Sequence, residues 1–218
     1  MLDLSKLART GLILATGLMA SIPGMAQRWE FGAGAAGTFY TTKEVTVASA
    51  KAQAGFKNGW GATAWLGNDM HKYIGGEIRY MFQQNDLKLE SGGRNYAFGG
   101  RSQTIHYDFL IHGAARGARV RPFLAAGAGF RGYEGTGKEV AVQPLNNFAF
   151  LTKTTQWVPV VSIGGGIKFM ASKRLAFRVE FRDYLSPVPD KVLTAAPGAK
   201  LNGWFHNFVA LAGVSVLF

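Results

Sequence analysis

The sequence contains no cysteine. This absence excludes a disulfide framework, cysteine-ligated zinc or iron–sulfur sites, and a cysteine nucleophile. Long apolar runs are also missing, because no segment after residue 26 approaches the roughly 20 apolar residues of a transmembrane helix. Yet the chain is 48% hydrophobic and 13% aromatic, and it carries 29 glycines among 218 residues. A membrane-spanning β-barrel reconciles these figures, with apolar side chains on the lipid face and small residues inside.

Basic residues outnumber acidic ones, and the formal net charge is +11. Such a surplus predicts attraction to anionic partners, either nucleic acid or lipopolysaccharide. The basic residues, however, sit singly within strand-like runs, as Lys57, Arg79 and Arg178 do. A nucleic-acid-binding protein would cluster them on one element or in a tail. We therefore expect no nucleic-acid partner.

The N-terminal residues have the pattern of a secretory signal peptide. Lys6 and Arg9 form a positive region, residues 11–22 form an apolar core, and Pro23 ends that core before small residues at 24–26. The alternative is an uncleaved membrane helix, but the apolar stretch is too short to span a bilayer comfortably. We predict a signal peptide at 1–26 and a barrel domain at 27–218.

From residue 28 onward, apolar and polar residues alternate. In the segment 175–184, Phe177, Val179 and Phe181 alternate with charged residues. Successive side chains of a strand point to opposite faces, so this period of two predicts strands with one apolar face. The pattern occurs in eight segments: 28–35, 55–67, 73–83, 103–114, 121–133, 155–169, 175–184 and 204–218.

The connections between these segments alternate in length. Long ones (41–54, 84–102, 134–154 and 185–203) alternate with short turns (68–72, 116–119 and 171–174). This asymmetry is typical of outer-membrane barrels, which have short periplasmic turns and long outer loops. We predict an all-β fold, an eight-stranded antiparallel up-and-down transmembrane β-barrel with both termini in the periplasm. A soluble lipocalin-like barrel would reverse the polarity and place large apolar residues inside.

Three segments resemble known barrels: the last strand, Phe208-Val-Ala-Leu-Ala-Gly-Val-Ser-Val-Leu-Phe218, then residues 120–129, and Arg178-Val-Glu-Phe-Arg-Asp-Tyr184. They are similar to strands of the small eight-stranded outer-membrane barrels, the OmpA-like and opacity-type superfamily. The resemblance implies a bacterial outer-membrane location. It also implies that the outer-membrane assembly machinery recognises the last strand by an assembly signal, which comprises Phe208, Val214, Val216 and Phe218. It does not extend to the peptidoglycan-binding domain of full-length OmpA-like proteins, so a cell-wall tether is not expected.

The face opposite the apolar one gathers charge, and we predict that it lines the lumen. An unpaired ion in a narrow interior costs several kcal/mol, so we expect pairing, with candidates in Glu77–Arg79 and in Glu180 between Arg178 and Arg182. An eight-stranded barrel has room for side chains and little more, which favours a filled interior over a gated narrow pore. The predicted lumen charge network is Arg28, Glu30, Glu77, Arg79, His106, Asp108, Arg131, Lys168, Arg178, Glu180 and Arg182, with Lys57 and His112 on the same face.

Neither a metal site nor a catalytic site is predicted. His106 and His112 are six residues apart, hence about 20 Å along a strand, too far to share one ion. Lipid hydrolysis would need a lipid-facing serine beside a histidine. His206 has lipid-facing parity but no serine two residues away, Ser162 and Ser215 have lumen parity, and Ser186 in the last long loop is a loose candidate. We expect no enzyme activity and no cofactor.

The sequence thus predicts an outer-membrane barrel with a structural or narrow porin-like role. The alternative is a surface-binding or adhesion barrel that acts through its long loops, where lysines and arginines are interleaved with Tyr96, Phe98, Phe148 and Phe150. Loops on rigid barrels commonly carry function. Expected partners are outer-membrane lipid, lipopolysaccharide and the assembly machinery.

Overall fold

The computed structural model describes residues 29–218. The predicted signal peptide and Arg28 lie outside the described residues. Within residues 29–218, no helix is long and apolar enough to cross a membrane. The described strands are β1 (Trp29–Tyr40), β2 (Lys43–Val47), β3 (Ala50–Phe56), β4 (Gly59–Asn68), β5 (Ile74–Gln84), β6 (Leu87–Ser91), β7 (Arg94–Phe98), β8 (Gly100–His112), β9 (Val120–Gly135), β10 (Ala149–Leu151), β11 (Thr155–Met170), β12 (Leu175–Pro187), β13 (Leu193–Ala195) and β14 (Trp204–Leu217).

Eight of these strands close into a barrel, in the order β1-β14-β12-β11-β9-β8-β5-β4. Every neighbouring pair is antiparallel, and β1 pairs with β14 to close the ring, with Phe31 opposite Val216 and Phe39 opposite Phe208. The predicted eight-stranded antiparallel barrel is confirmed. Each predicted segment contributes one barrel strand, although β1 and β12 run five and three residues further than predicted.

The alternation of apolar and polar residues in the sequence corresponds to an alternation of exposed and buried side chains in the barrel strands. On β12, Phe177, Val179 and Phe181 are exposed on the outer face, whereas Arg178 and Glu180 are buried inside. Glycine makes room for large interior side chains. A Cβ atom on Gly32 would lie 2.2 Å from the Trp65 ring, and one on Gly213 would lie 2.7 Å from it. The glycine-rich face is therefore the crowded interior.

The two ends of the barrel differ. The connections at 69–73, 113–119 and 171–174 are short, and Trp29 and Phe218 lie at the same end, joined by backbone hydrogen bonds of 3.1 and 3.0 Å. We call this the short-turn end. The connections at 41–58, 85–99, 136–154 and 188–203 lie at the opposite, long-loop end.

The long connections are not open loops, as the sequence suggested, but fold into a cap. The hairpins β2–β3 and β6–β7 form one four-stranded sheet, and β10 pairs with β13. A bridge between Thr46 and Lys200 joins the first connection to the last. The cap comprises residues 41–58, 85–99, 136–154 and 188–203. Phe56, predicted on the outer face of a strand at 55–67, instead ends β3 and is buried in the cap, because the chain turns at 57–58 before β4 begins.

The cap has its own hydrophobic core, which rests on the barrel mouth. Phe56 stacks on Tyr133 of β9 with ring centroids 4.9 Å apart, and it meets Phe205 of β14 edge-on at 5.6 Å. Because these barrel residues belong to the same cluster, the cap closes the mouth with apolar contacts. The core consists of Val45, Ala52, Ala54, Phe56, Leu87, Leu89, Phe98, Tyr133, Phe148, Ala149, Leu151, Val158, Val192, Leu193 and Phe205.

Candidate functional site

Glu77 on β5 lies at the centre of the barrel's buried charges. Its carboxylate accepts hydrogen bonds from Arg79 (2.7 Å), Arg178 (2.7 Å) and Arg182 (3.0 Å). All four side chains are at most 1% exposed. Three guanidinium groups from two strands thus converge on one carboxylate, and β12 supplies two of them because Arg178 and Arg182 share its inward face.

Further carboxylates complete this ion network. Glu180 lies 2.5 Å from Arg79 and accepts from Arg178 (3.2 Å) and Arg182 (3.0 Å). Asp108 accepts from Arg182 at 2.5 Å, and Lys168 donates to Glu30. The network therefore contains four basic groups (Arg79, Lys168, Arg178 and Arg182) and four acidic groups (Glu30, Glu77, Asp108 and Glu180). Each of these buried ions therefore has a partner of opposite sign, which offsets the cost of its burial.

Trp65 on β4 belongs to the same site and was not singled out from the sequence. Its indole N–H donates to Glu30 at 3.1 Å, and the guanidinium carbons of Arg79 and Arg178 lie 5.2 and 5.0 Å from its ring. The sequence pattern does place Trp65 on the inner face with Thr63 and Gly67. The alternating pattern of β4 could have placed Trp65 inside the barrel, but a large apolar ring is expected on the lipid face.

Arg131 forms a separate layer between the ion network and the cap. It is fully buried, and no carboxylate of residues 29–218 lies within salt-bridge distance of it. Its guanidinium donates to Thr104 (2.8 Å) and Asn207 (3.0 Å). The rings of Tyr40, Tyr133 and Tyr184 surround it at 5.1–5.9 Å. Cation–π contacts and neutral acceptors stabilise this cation, so the interior's charge surplus is concentrated at one position.

The two histidines predicted to face the lumen, His106 and His112, lie at different heights along the barrel axis. His106 Nδ1 lies 3.1 Å from Asp108, and its Nε2 lies 3.2 Å from the Tyr184 hydroxyl. His112 lies near the short-turn end, beside a cavity of about 10 Å³, and a second cavity of about 20 Å³ lies next to it. Each has room for about one water. Among residues 29–218, no three His, Asp or Glu side chains converge as a metal site.

Besides Phe56, two sequence-based placements were wrong. Ser186 is not in a loop but on β12, fully buried, with its hydroxyl 2.7 Å from that of Tyr133. It therefore cannot face lipid. Lys57 does not line the lumen, because it lies in the turn between β3 and β4 and is only half-buried. Ser162 and Ser215 are buried on the inner face, and Ser162 accepts a hydrogen bond from Arg182 at 3.0 Å.

The residues of the predicted assembly signal lie along β14. Phe208, Val214 and Val216 share its outer face. Phe218 lies just past the strand, where its backbone N–H donates to Trp29. The last residue therefore contributes to the seam at which the barrel closes.

The outer surface of the cap is polar and is formed by the four-stranded sheet β2-β3-β6-β7. On the sheet face that points away from the barrel, Lys51 lies 3.1 Å from Glu44 and Lys88 lies 3.4 Å from Glu90. A groove of about 490 Å³ crosses the hairpin tips, where Gly92 and Gly93 have positive φ. It is lined by Lys51, Ala52, Gln53, Glu90, Ser91, Gly92, Gly93, Arg94 and Asn95.

Comparison with known proteins identifies relatives of this architecture. The family described as outer membrane protein beta-barrel domain matches residues 12–214. Neisserial surface protein A is 13% identical, with a TM-score of 0.56 over 89% of this chain and 100% of that one. The outer membrane protein OprG of Pseudomonas aeruginosa is 10% identical, with a TM-score of 0.58 over 88% and 96%. At these identities the likeness is one of fold. A comparison with curated protein sequences found no match.

Proposed function

Because the chain belongs to the outer membrane protein beta-barrel domain family, we propose that it is a structural outer-membrane barrel that holds a folded cap at the membrane surface and does not conduct. One observation carries the proposal: the interior is closed by successive layers. The ion network fills the barrel, Arg131 and its tyrosines lie above it, and the cap core covers the mouth. A pore would need a continuous hydrated path through all three.

The family's architecture supports one orientation of the barrel in the membrane. Short turns face the periplasm and long connections face outward in such barrels, so we place the short-turn end and Phe218 in the periplasm. The cap then contacts lipopolysaccharide, and β14 is the strand that the assembly machinery engages. We assign no catalytic role: the serines weighed above at 162, 186 and 215 are buried inside the barrel, away from any lipid substrate.

Planar-bilayer recording tests the closed barrel. We expect the purified, folded protein to insert without producing resolved open steps, because the ions of the network are paired with one another, Arg131 is surrounded by neutral acceptors and tyrosine rings, and the mouth is covered. Heat-modifiable migration in a denaturing gel establishes that the sample is folded, and protein-free detergent serves as the control. Large, stable conductance steps from folded protein would refute the structural role and favour a porin.

A second candidate is surface binding through the cap, which the groove at the hairpin tips favours, because paired strands form it. Preformed surfaces bind with a smaller ordering cost than mobile loops do. The groove presents Arg94 and Lys51, and although Lys51 also contacts Glu44, both side chains are exposed and suit an anionic glycan or lipopolysaccharide on an opposing surface. In the structural hypothesis the cap contacts only the membrane around the barrel, whereas in this one it binds a partner on an opposing surface.

The cap's binding role is tested with the double substitution Lys51→Ala and Arg94→Ala. Both side chains are on the surface, so the fold should persist while adhesion of expressing cells to a glycan-coated surface falls several-fold. The matched control is Lys191→Ala with Lys153→Ala, elsewhere on the cap. Equal adhesion of both variants and the wild type would count against the groove. Trimming residues 134–154 is less informative, because Phe148, Ala149 and Leu151 belong to the cap core.

A further inference from the structure

Basic residues are concentrated in the short turns of the barrel. The turns at 69–73, 113–119 and 171–174 contain one acidic side chain, Asp69, and five Lys or Arg residues: Lys72, Arg116, Arg119, Lys173 and Arg174. Asp69 is buried, and its carboxylate lies 2.6 Å from Arg121 of β9 and 3.5 Å from Arg116. The single negative charge of these turns is therefore already compensated.

The remaining four basic residues, which we call the basic rim, are Lys72, Arg119, Lys173 and Arg174. All four are exposed, and no carboxylate of residues 29–218 lies within 4 Å of their side-chain nitrogens. In contrast, three basic residues towards the long-loop end, Lys51, Lys88 and Arg101, each lie within 4 Å of a glutamate. The basic rim is thus a positively charged surface without internal partners.

A backbone hydrogen bond brings three members of the rim together. The N–H of Met170 donates to the carbonyl of Arg119 at 2.8 Å. Arg119 therefore lies beside the turn at 171–174, which carries Lys173 and Arg174. Two turns that are distant in sequence thus place their basic side chains on one side of the short-turn end. Positive charges held close together attract an anion more strongly than isolated ones do.

The rim lies where the barrel wall leaves the membrane. Tyr73 and Phe169 are 43% and 41% exposed at this end of the barrel, as expected of the aromatic belt at a membrane interface. Phe169 pairs with Val120, the residue after Arg119. Lys72 Nζ lies 5.5 Å from the centroid of the Tyr73 ring. The basic side chains therefore begin next to the belt, at the level of lipid headgroups.

We propose that the basic rim binds the phosphate groups of acidic phospholipids, such as phosphatidylglycerol, in the periplasmic leaflet of the outer membrane. The choice of leaflet rests on the orientation proposed above, in which the short-turn end faces the periplasm. Arginine and lysine both donate to phosphate oxygens. A zwitterionic headgroup is attracted less, because its ammonium is repelled by the rim. A cell-wall polymer fits less well, because turns of four to seven residues hold the rim against the membrane.

Native mass spectrometry of the folded barrel in lipid nanodiscs tests the site. The nanodiscs contain phosphatidylcholine with equal minor amounts of phosphatidylethanolamine and phosphatidylglycerol. We expect the wild type to retain phosphatidylglycerol about five-fold above phosphatidylethanolamine, which is the attraction of one basic residue to an anionic membrane surface. The double substitution Lys173→Gln and Arg174→Gln should remove most of this preference, because each neutralised residue loses a comparable factor.

The matched control is Lys153→Gln with Lys191→Gln, which removes two positive charges from the cap. These lysines are also exposed, and within the described part of the chain they too have no carboxylate within 4 Å. Both leaflets of a nanodisc contain phosphatidylglycerol, so the control should keep the wild-type ratio. Heat-modifiable migration verifies that each variant is folded.

Three outcomes would overturn the proposal. The first is equal retention of the two lipids by the wild type. The second is an equal loss of preference in the rim variant and in the cap control, which would reduce the effect to net charge. The third is co-sedimentation with purified peptidoglycan that the rim variant loses while its lipid preference stays unchanged, which would assign the rim to the cell wall.

The leaflet is tested separately, because a nanodisc does not report orientation. The sequence contains no cysteine, so a single thiol can be placed at Ala171 in a short turn or at Asn95 in the cap, both exposed. We expect a membrane-impermeant thiol reagent to label Asn95→Cys in intact cells, and Ala171→Cys only after the outer membrane is permeabilised. The reverse pattern would refute the proposed orientation and the periplasmic leaflet, whereas the lipid preference in nanodiscs would stand. A conducting barrel would change neither result.

Discussion

Replacing Glu77 by alanine is expected to lower the free energy of unfolding by about 3–5 kcal/mol, the usual cost of removing one partner of a buried ion pair. Glu77 accepts hydrogen bonds from three arginines, two of which come from the opposite side of the barrel on β12. Its loss leaves Arg79, Arg178 and Arg182 with fewer negative groups than positive ones in a buried space. Water has little room to replace the carboxylate, because a narrow barrel is filled by side chains.

The measurement is urea unfolding of the protein in lipid vesicles, followed by tryptophan fluorescence. Glu134→Ala is the matched control, because it also removes a carboxylate that accepts hydrogen bonds from an arginine, Arg101, but at a partly exposed position. Exposed pairs contribute at most about 1 kcal/mol. If the Glu77 variant unfolds at the same urea concentration as the Glu134 variant, the ion network does not stabilise the barrel.

Deleting Phe218 is expected to remove most of the protein from the outer membrane. The resemblance of the last strand to barrel assembly signals implies that the terminal aromatic is what the assembly machinery recognises. In the folded barrel Phe218 adds backbone hydrogen bonds to Trp29, but the β1–β14 ladder continues over Glu30–Tyr40 without it. The deletion should therefore impair insertion far more than it destabilises the finished barrel.

Two measurements separate these effects. Outer-membrane fractions are probed for the protein in cells, and the same variant is refolded from urea into detergent in vitro. We expect a low membrane level together with near-normal refolding. Phe218→Tyr keeps a terminal aromatic and should stay close to the wild type. An unchanged membrane level after the deletion would argue against Phe218 as an assembly signal.

Strand positions and the barrel itself could be predicted because the information is local. The alternation of Phe177, Arg178 and Val179 shows which face of the strand each side chain lies on, whatever that side chain contacts. Short and long connections alternate along the chain in the same readable way. The predicted pairs Glu77–Arg79 and Arg178–Glu180–Arg182 also follow from spacing within one strand, since residues two apart share a face.

The sequence by itself therefore determined the all-β class, the number of barrel strands and the inner and outer faces of the barrel, since each depends on residues close together in the chain. Only the tertiary structure decided which charges meet across the barrel, that Arg131 has tyrosines rather than a carboxylate around it, and that the long connections fold into a cap. It alone placed Arg119 beside the turn at 171–174. These features depend on register between strands distant in sequence, and a shift of one residue would send every side chain to the other face.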